Sequence, residues 1–177
     1  MRRLLQTLSS ADKRASAWFA QLGVSHRELY VPSAWLAHSG DGLIVLLVGL
    51  AAYVLGAASL RQDLQRTATA VAIVAILVAL LKFALQRERP QGEESALWSA
   101  TPEFDRYAFP SGHAARVMCV ALVMGATLPL WRTPLLLWSI AVGLARVVVG
   151  AHHLLDVAGG WLLGIMVASL VRSLWAA

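Results

Sequence analysis

Two histidines, an aspartate and three long cations stand at spacings suited to phosphoryl transfer. His152 and Asp156 are four residues apart, so a helix would carry them on one face. Asp156 could then take the proton of one imidazole nitrogen and leave the other free to attack. Phosphoryl transfer also needs positive charge around the equatorial oxygens, which Lys82, Arg89 and Arg146 can supply. The two guanidinium groups can clasp phosphate oxygens in pairs. Pro110-Ser111-Gly112-His113 stands where an apolar segment begins. A helix start presents free N–H groups to an anion, and Gly112 lets the backbone come close to it.

Other chemistries use some of the same residues. Ser111 beside a histidine could attack a peptide carbonyl, but the surrounding cations favour phosphate. Two histidines and Asp156 could hold a metal ion; three nearby cations would repel one, so no metal and no other cofactor is expected. His153 reads as a structural neighbour of His152. Arg116, one turn after His113, could meet the substrate or lipid headgroups. Glu93, Glu94, Glu103 and Asp105 read as a solvated loop surface.

The elements that must position these residues belong to a membrane protein. Of 177 residues, 58% are hydrophobic and only 14% charged, against about a quarter charged in soluble domains. Five apolar segments are long enough to cross a bilayer: Gly42–Leu60, Thr67–Gln86, His113–Trp131, Thr133–Ala151 and Leu154–Trp175. Gly160 and Gly164 in the last have the small-xxx-small spacing of close helix packing. Ahead of them, Leu4, Leu8, Ala11, Ala15, Trp18 and Leu22 line one face of a helix, with Arg2, Gln6 and Lys13 opposite. Such a helix could lie on the membrane surface or pack against the protein body. Residues 23–41 read as a polar connector. The polar stretch Arg87–Pro110 carries Trp98, Phe104, Tyr107 and Phe109, aromatic anchors for an interface. Arg2 and Arg3 resemble the charged start of a signal peptide, but no long apolar stretch follows directly, so no cleavable signal is expected. The fold expected is all-α: about five transmembrane helices in a bundle, plus an N-terminal amphipathic interfacial helix. Residues 1–39 form the interfacial segment and 40–177 the membrane domain.

Helices that alternate direction bring the end of the second span, the start of the third, the end of the fourth and the start of the fifth to one membrane face. Lys82, Arg116, Arg146, Asp156, His113 and His152 gather there. Ionisable groups inside spans are costly and usually mark function. Snorkelling to headgroups accounts for Arg172 but not for an aspartate and two histidines beside cations.

Three patterns at that face together resemble the type-2 phosphatidic acid phosphatase superfamily: Lys82 with Arg89-Pro90; Pro110-Ser111-Gly112-His113; and Arg146, His152 and Asp156. The resemblance covers roughly residues 40–175. It departs at Ala145, where the family usually has a serine, so a hydroxyl contact near the phosphate is not expected. It implies that His152 forms a phosphohistidine, that His113 protonates the leaving lipid oxygen and then activates water, and that Asp156 orients His152. Lys82, Arg89, Ser111, Gly112 and Arg146 would bind phosphate. The substrate class implied is a lipid phosphate or pyrophosphate, with undecaprenyl pyrophosphate first and phosphatidic acid, phosphatidylglycerophosphate or lipid A as alternatives. From another class, a non-catalytic lipid-binding or transport protein stays open. Membrane lipids are the partners expected and nucleic acid is not; oligomeric state is open. Arg2, Arg3, Lys13, Arg14 and Arg27 tilt the positive-inside balance toward a cytoplasmic active face. The resemblance implies a bacterial inner membrane with the site on the periplasmic side, and that reading is taken here.

Overall fold

The structure, a computed structural model, describes residues 2–90 and 107–176. Among them the chain forms seven helices: α1 (Arg2–Ser25), α2 (Arg27–Ser39), α3 (Gly42–Leu55), α4 (Ala58–Leu85), α5 (Gly112–Thr127), α6 (Pro129–Val148) and α7 (Leu154–Ala176). The expected all-α bundle is the fold found. The only β pairing among described residues is an isolated bridge between Glu88 and Tyr107.

Three helices, α4, α6 and α7, are long and apolar enough to cross a membrane. The pair α2–α3, bent by 57°, makes a fourth if counted as one broken span, and α5 is a shorter apolar helix. The chain is an integral membrane protein, though its spans are less uniform than five equal crossings. The expected first span, Gly42–Leu60, is cut at Gly56, and α4 begins at Ala58, well before the expected Thr67. Arg61, Gln65 and Arg66 look like loop residues in sequence, but each finds a partner on α4 itself or on α3. Arg66 donates to Asp63 at 3.2 Å, Gln65 donates to the Tyr53 hydroxyl at 3.3 Å, and Arg61 lies over the Tyr53 ring.

The presumed connector 23–41 is largely helical. In α2, Tyr30, Ala34 and Ala37 recur at helical spacing and pack on Ala145 and Val149 of α6. Pro32 sits inside this helix and costs it one backbone hydrogen bond.

α5 is the hub, packed by α4, α6 and α7. Small and β-branched residues fill the space between them: Ala70, Val74 and Val78 from α4, Ala115, Cys119 and Val123 from α5, Val167, Ala168 and Val171 from α7. The Gly160 and Gly164 pair does serve close packing. A Cβ on Gly160 would lie 2.5 Å from the Ser111 carbonyl oxygen, and one on Gly164 2.5 Å from that of Ala115. By contrast α3 buries no residue, and Leu43, Leu46, Leu47 and Leu50 face outward. Lipid tails are as apolar as leucine, so this exposure carries no penalty in a bilayer.

α1 packs on the protein body, yet not by its apolar stripe. Asp12, Ser16 and Gly23 are its buried residues, while Leu8, Ala11, Ala15 and Trp18 stay exposed. α1 is therefore stitched to the bundle mainly through the polar edge of Asp12 and Ser16, with Leu8, Ala11, Ala15 and Trp18 left outward, whereas α2 packs by its apolar residues.

Candidate active site

The site is built where the ends of α4 and α6 meet the starts of α5 and α7. α4 stops at Gln86, which adopts a left-handed conformation at φ 45°. That conformation costs a non-glycine residue roughly 1–2 kcal/mol. The reversal carries Arg87 and Arg89 back over the helix ends, where Arg89 donates to the Ala151 carbonyl at 3.3 Å. Lys82, one turn earlier, is buried.

α6 ends in a tight turn through Gly150, whose φ of 74° suits glycine. Ala151 and His152 both donate their N–H to the Arg146 carbonyl, at 3.0 and 3.1 Å. The residue that brings a guanidinium to the site thus also fixes the backbone of His152. Ser111 caps α5: its side chain accepts from the Ala114 N–H, and its own N–H donates to the Asp156 carbonyl at 2.9 Å. The second and third sequence patterns are thereby joined backbone to backbone. The first N–H groups of α5, at Gly112 and His113, have no intrahelical acceptor by helix geometry and lie at this same face.

His152 is 1% exposed. Burial, together with the charges of Arg89, Arg146 and Lys82, holds its imidazole well below the usual histidine range, so the ring is neutral. All three sequence-chosen cations act on one imidazole, and His113 acts on it too. Lys82, Arg89, Arg146, His113 and His152 are thus brought together.

Asp156 departs from expectation. Its Oδ2 lies 3.9 Å from His152 Nδ1, beyond hydrogen-bond length, and that nitrogen has no hydrogen-bond partner among the described residues. The carboxylate is engaged elsewhere. Oδ2 accepts from the His153 N–H at 2.8 Å and from His153 Nδ1 at 3.2 Å, and Oδ1 accepts from Arg87 Nη1 at 2.7 Å. His153 is buried and holds Asp156 more closely than His152 does.

Arg116 turns inward to the end of α2, donating to the Gly40 carbonyl at 2.9 Å with Gly42 against its guanidinium. Ala145, in place of the family serine, packs against Ala37 of α2, so a helix contact occupies that position. Glu93, Glu94, Trp98, Glu103, Phe104 and Asp105 lie outside the described residues.

Four polar residues escaped the sequence reading. Asp41, at the α2–α3 break, accepts from His113 Nε2 at 2.5 Å and from His38 Nδ1 at 2.9 Å. Arg87 bonds Asp12 as well as Asp156, and Ser16 of α1 accepts from the Leu154 N–H. Contacts across such separations leave no local pattern; a charged residue on an otherwise amphipathic helix was the one hint of Asp12.

The family model described as PAP2 superfamily matches residues 64–177. A decaprenylphosphoryl-5-phosphoribose phosphatase of Mycobacterium tuberculosis is 37% identical over 143 residues, covering 78% of this chain and 76% of that protein. An undecaprenyl-diphosphatase of Sulfolobus acidocaldarius is 33% identical over 99 residues, 55% of this chain. A lipid A 1-phosphatase of Rhizobium etli is 35% identical over 101 residues, 54% of this chain. The chain aligns to about half the length of these last two proteins, 48% and 43%. Among solved structures, the PAP2 type phosphatidylglycerolphosphate phosphatase from Bacillus subtilis superposes with a TM-score of 0.75 at 22% identity, covering 95% of this chain and 86% of that one. LpxE of Aquifex aeolicus superposes at 0.69, also 22% identical, covering 89% and 93%.

Proposed function

Because this chain belongs to the PAP2 superfamily, we propose that it is a membrane lipid phosphatase working through a phosphohistidine on His152. The observation that carries this reading is the placement of the buried His152: its N–H bonds the Arg146 carbonyl, Arg89 bonds the neighbouring Ala151 carbonyl, and the charge of buried Lys82 also acts on its ring. A neutral imidazole has a lone pair to donate, and the cations supply the counter-charge that a phosphoryl group needs.

Phosphate oxygens are held by Lys82, Arg89, Arg146, the Ser111 hydroxyl and the first N–H groups of α5 at Gly112 and His113. Nδ1 of His152 faces Asp156, so Nε2 attacks phosphorus in line. The N–P bond forms as the bond to the leaving oxygen breaks, and His113 gives that oxygen a proton. In the second half, His113 takes a proton from water, water attacks phosphorus, and the N–P bond breaks to release phosphate. As positive charge develops on His152, Asp156 closes on Nδ1; about 1 Å of approach reaches hydrogen-bond length. Asp41 orients His113 by accepting from Nε2, leaving Nδ1 for the leaving group, and His38 steadies the second Asp41 oxygen. The cations of the site are protein side chains, and the scheme routes no step through a metal.

The substrate we favour is a polyprenyl-linked phosphate, with undecaprenyl pyrophosphate first. Two of the relatives above are named for polyprenyl lipids, which supports this class over phosphatidic acid, phosphatidylglycerophosphate or lipid A. A phosphate-release panel over these lipids with purified protein tests it. His152→Ala should lower release by roughly 1000-fold or more; undiminished turnover would remove the nucleophile assignment and favour a non-catalytic lipid-binding or transport role. We also place the active face on the extracytoplasmic side of a bacterial inner membrane, following the family resemblance against the basic N-terminal flank. A Ser95→Cys variant should react with a membrane-impermeant thiol reagent in intact cells, since Cys119 is buried; labelling only after lysis would reverse the orientation.

A further inference from the structure

The start of α7 is held from outside its own helix. Its first N–H groups need acceptors, and α1 provides two of them. Leu154 N–H donates to Ser16 Oγ at 2.9 Å, and Leu155 N–H donates to Asp12 Oδ1 at 3.0 Å. The other Asp12 oxygen takes a bond from Arg87 Nη2, while Nη1 of the same guanidinium reaches Asp156. One forked cation therefore lies between two carboxylates, Asp12 at 3% and Asp156 at 0% side-chain exposure. A buried carboxylate stripped of its cation is strongly unfavourable, so neither can easily leave Arg87.

This chain of contacts bears on the reaction, not only on the attachment of α1. With Oδ1 of Asp156 on Arg87 and Oδ2 on His153, both carboxylate oxygens have a partner that sets their direction, and it is Oδ2 that looks toward His152 Nδ1. A planar guanidinium sets direction as well as charge, which a single ammonium does not. Resting on the phosphohistidine reading, we propose that Arg87 is a positioning residue that aims Asp156 at His152, and that Asp12 of α1 is the anchor holding Arg87 in place. The N-terminal helix then belongs to the catalytic unit.

The test uses the full chain with undecaprenyl pyrophosphate in detergent micelles. Arg87→Met should lower kcat by roughly 10- to 100-fold while KM moves less than about threefold, as for loss of an outer partner of a functional group. Arg87→Lys, keeping the charge but not the fork, should fall between Met and the natural residue. Asp12→Asn keeps an acceptor for Leu155 and loses the charge, and should lower kcat by a few-fold with KM unchanged. Should Arg87→Met not fold, the Lys and Asn variants carry the question alone. Wild-type kcat in both of those, or kcat losses that only track the fraction of folded protein, would overturn the proposal. His152→Ala runs alongside: if it is dead while the Arg87 variants are normal, only the positioning role fails. If it stays active, the phosphohistidine reading itself fails.

Discussion

The C-terminal helices α4–α7 and the N-terminal helices α1–α3 solve different problems. The first group packs at backbone distance through Gly160, Gly164 and a seam of alanines and valines. It carries every residue that resembles a family motif, and the family match falls almost entirely on it. The second group is loosely seated, with no buried residue in α3 and an exposed apolar stripe on α1. Yet it sends three polar side chains, Asp12, Ser16 and Asp41, to the groups on which the proposed chemistry depends. The proposed site takes its motif residues from the first group and further polar contacts from the second.

That contrast can be broken in three places. Asp41→Asn should cost the most, lowering kcat by about 10- to 100-fold although Asp41 lies outside the motif-bearing half; steady-state release measures it, and normal turnover would return α2 and α3 to a purely structural role. Gly160→Val tests the tight half. Its side chain meets the Ser111 carbonyl, so thermal unfolding in detergent should show a loss of about 1–3 kcal/mol. An unchanged transition would mean that the two backbones are not in contact. The smallest effect belongs to Leu46→Ala on α3, where an outward leucine is removed from a lipid-facing surface. Stability should hold within about 0.5 kcal/mol, and a larger loss would reveal a packed face on α3.

Legibility in sequence followed the same division. α7 is legible almost to the residue, because Leu154–Trp175 is an apolar run whose only charges, Asp156 and Arg172, stand near its two ends. The cations around His152 are legible because they stand at two helix ends, Lys82 and Arg89 at that of α4 and Arg146 at that of α6. α2 was not, since Pro32 and the polar residues of 23–41 masked the spacing of Tyr30, Ala34 and Ala37. The start of α4 is hidden by Arg61, Gln65 and Arg66, whose partners, Asp63 and Tyr53 of α3, come within reach only once the helices exist. Spacing of four joined His152 to Asp156 in sequence, while in space His153 and Arg87 hold that carboxylate and His152 waits at 3.9 Å. Periodicity reports which residues share a face; it does not report which of two neighbours wins a shared oxygen.

The bridge between Glu88 and Tyr107, with the Ala108 N–H on the Arg87 carbonyl at 2.7 Å, joins the two ends of the polar stretch. Its two stems are pinned beside Arg89 on one side and Ser111 on the other. Closing a longer loop between fixed stems costs little extra, since the entropy grows only with the logarithm of length. Whatever chain runs between Pro90 and Tyr107 can therefore be lengthened, shortened or grafted from a cousin while the stems keep their seats.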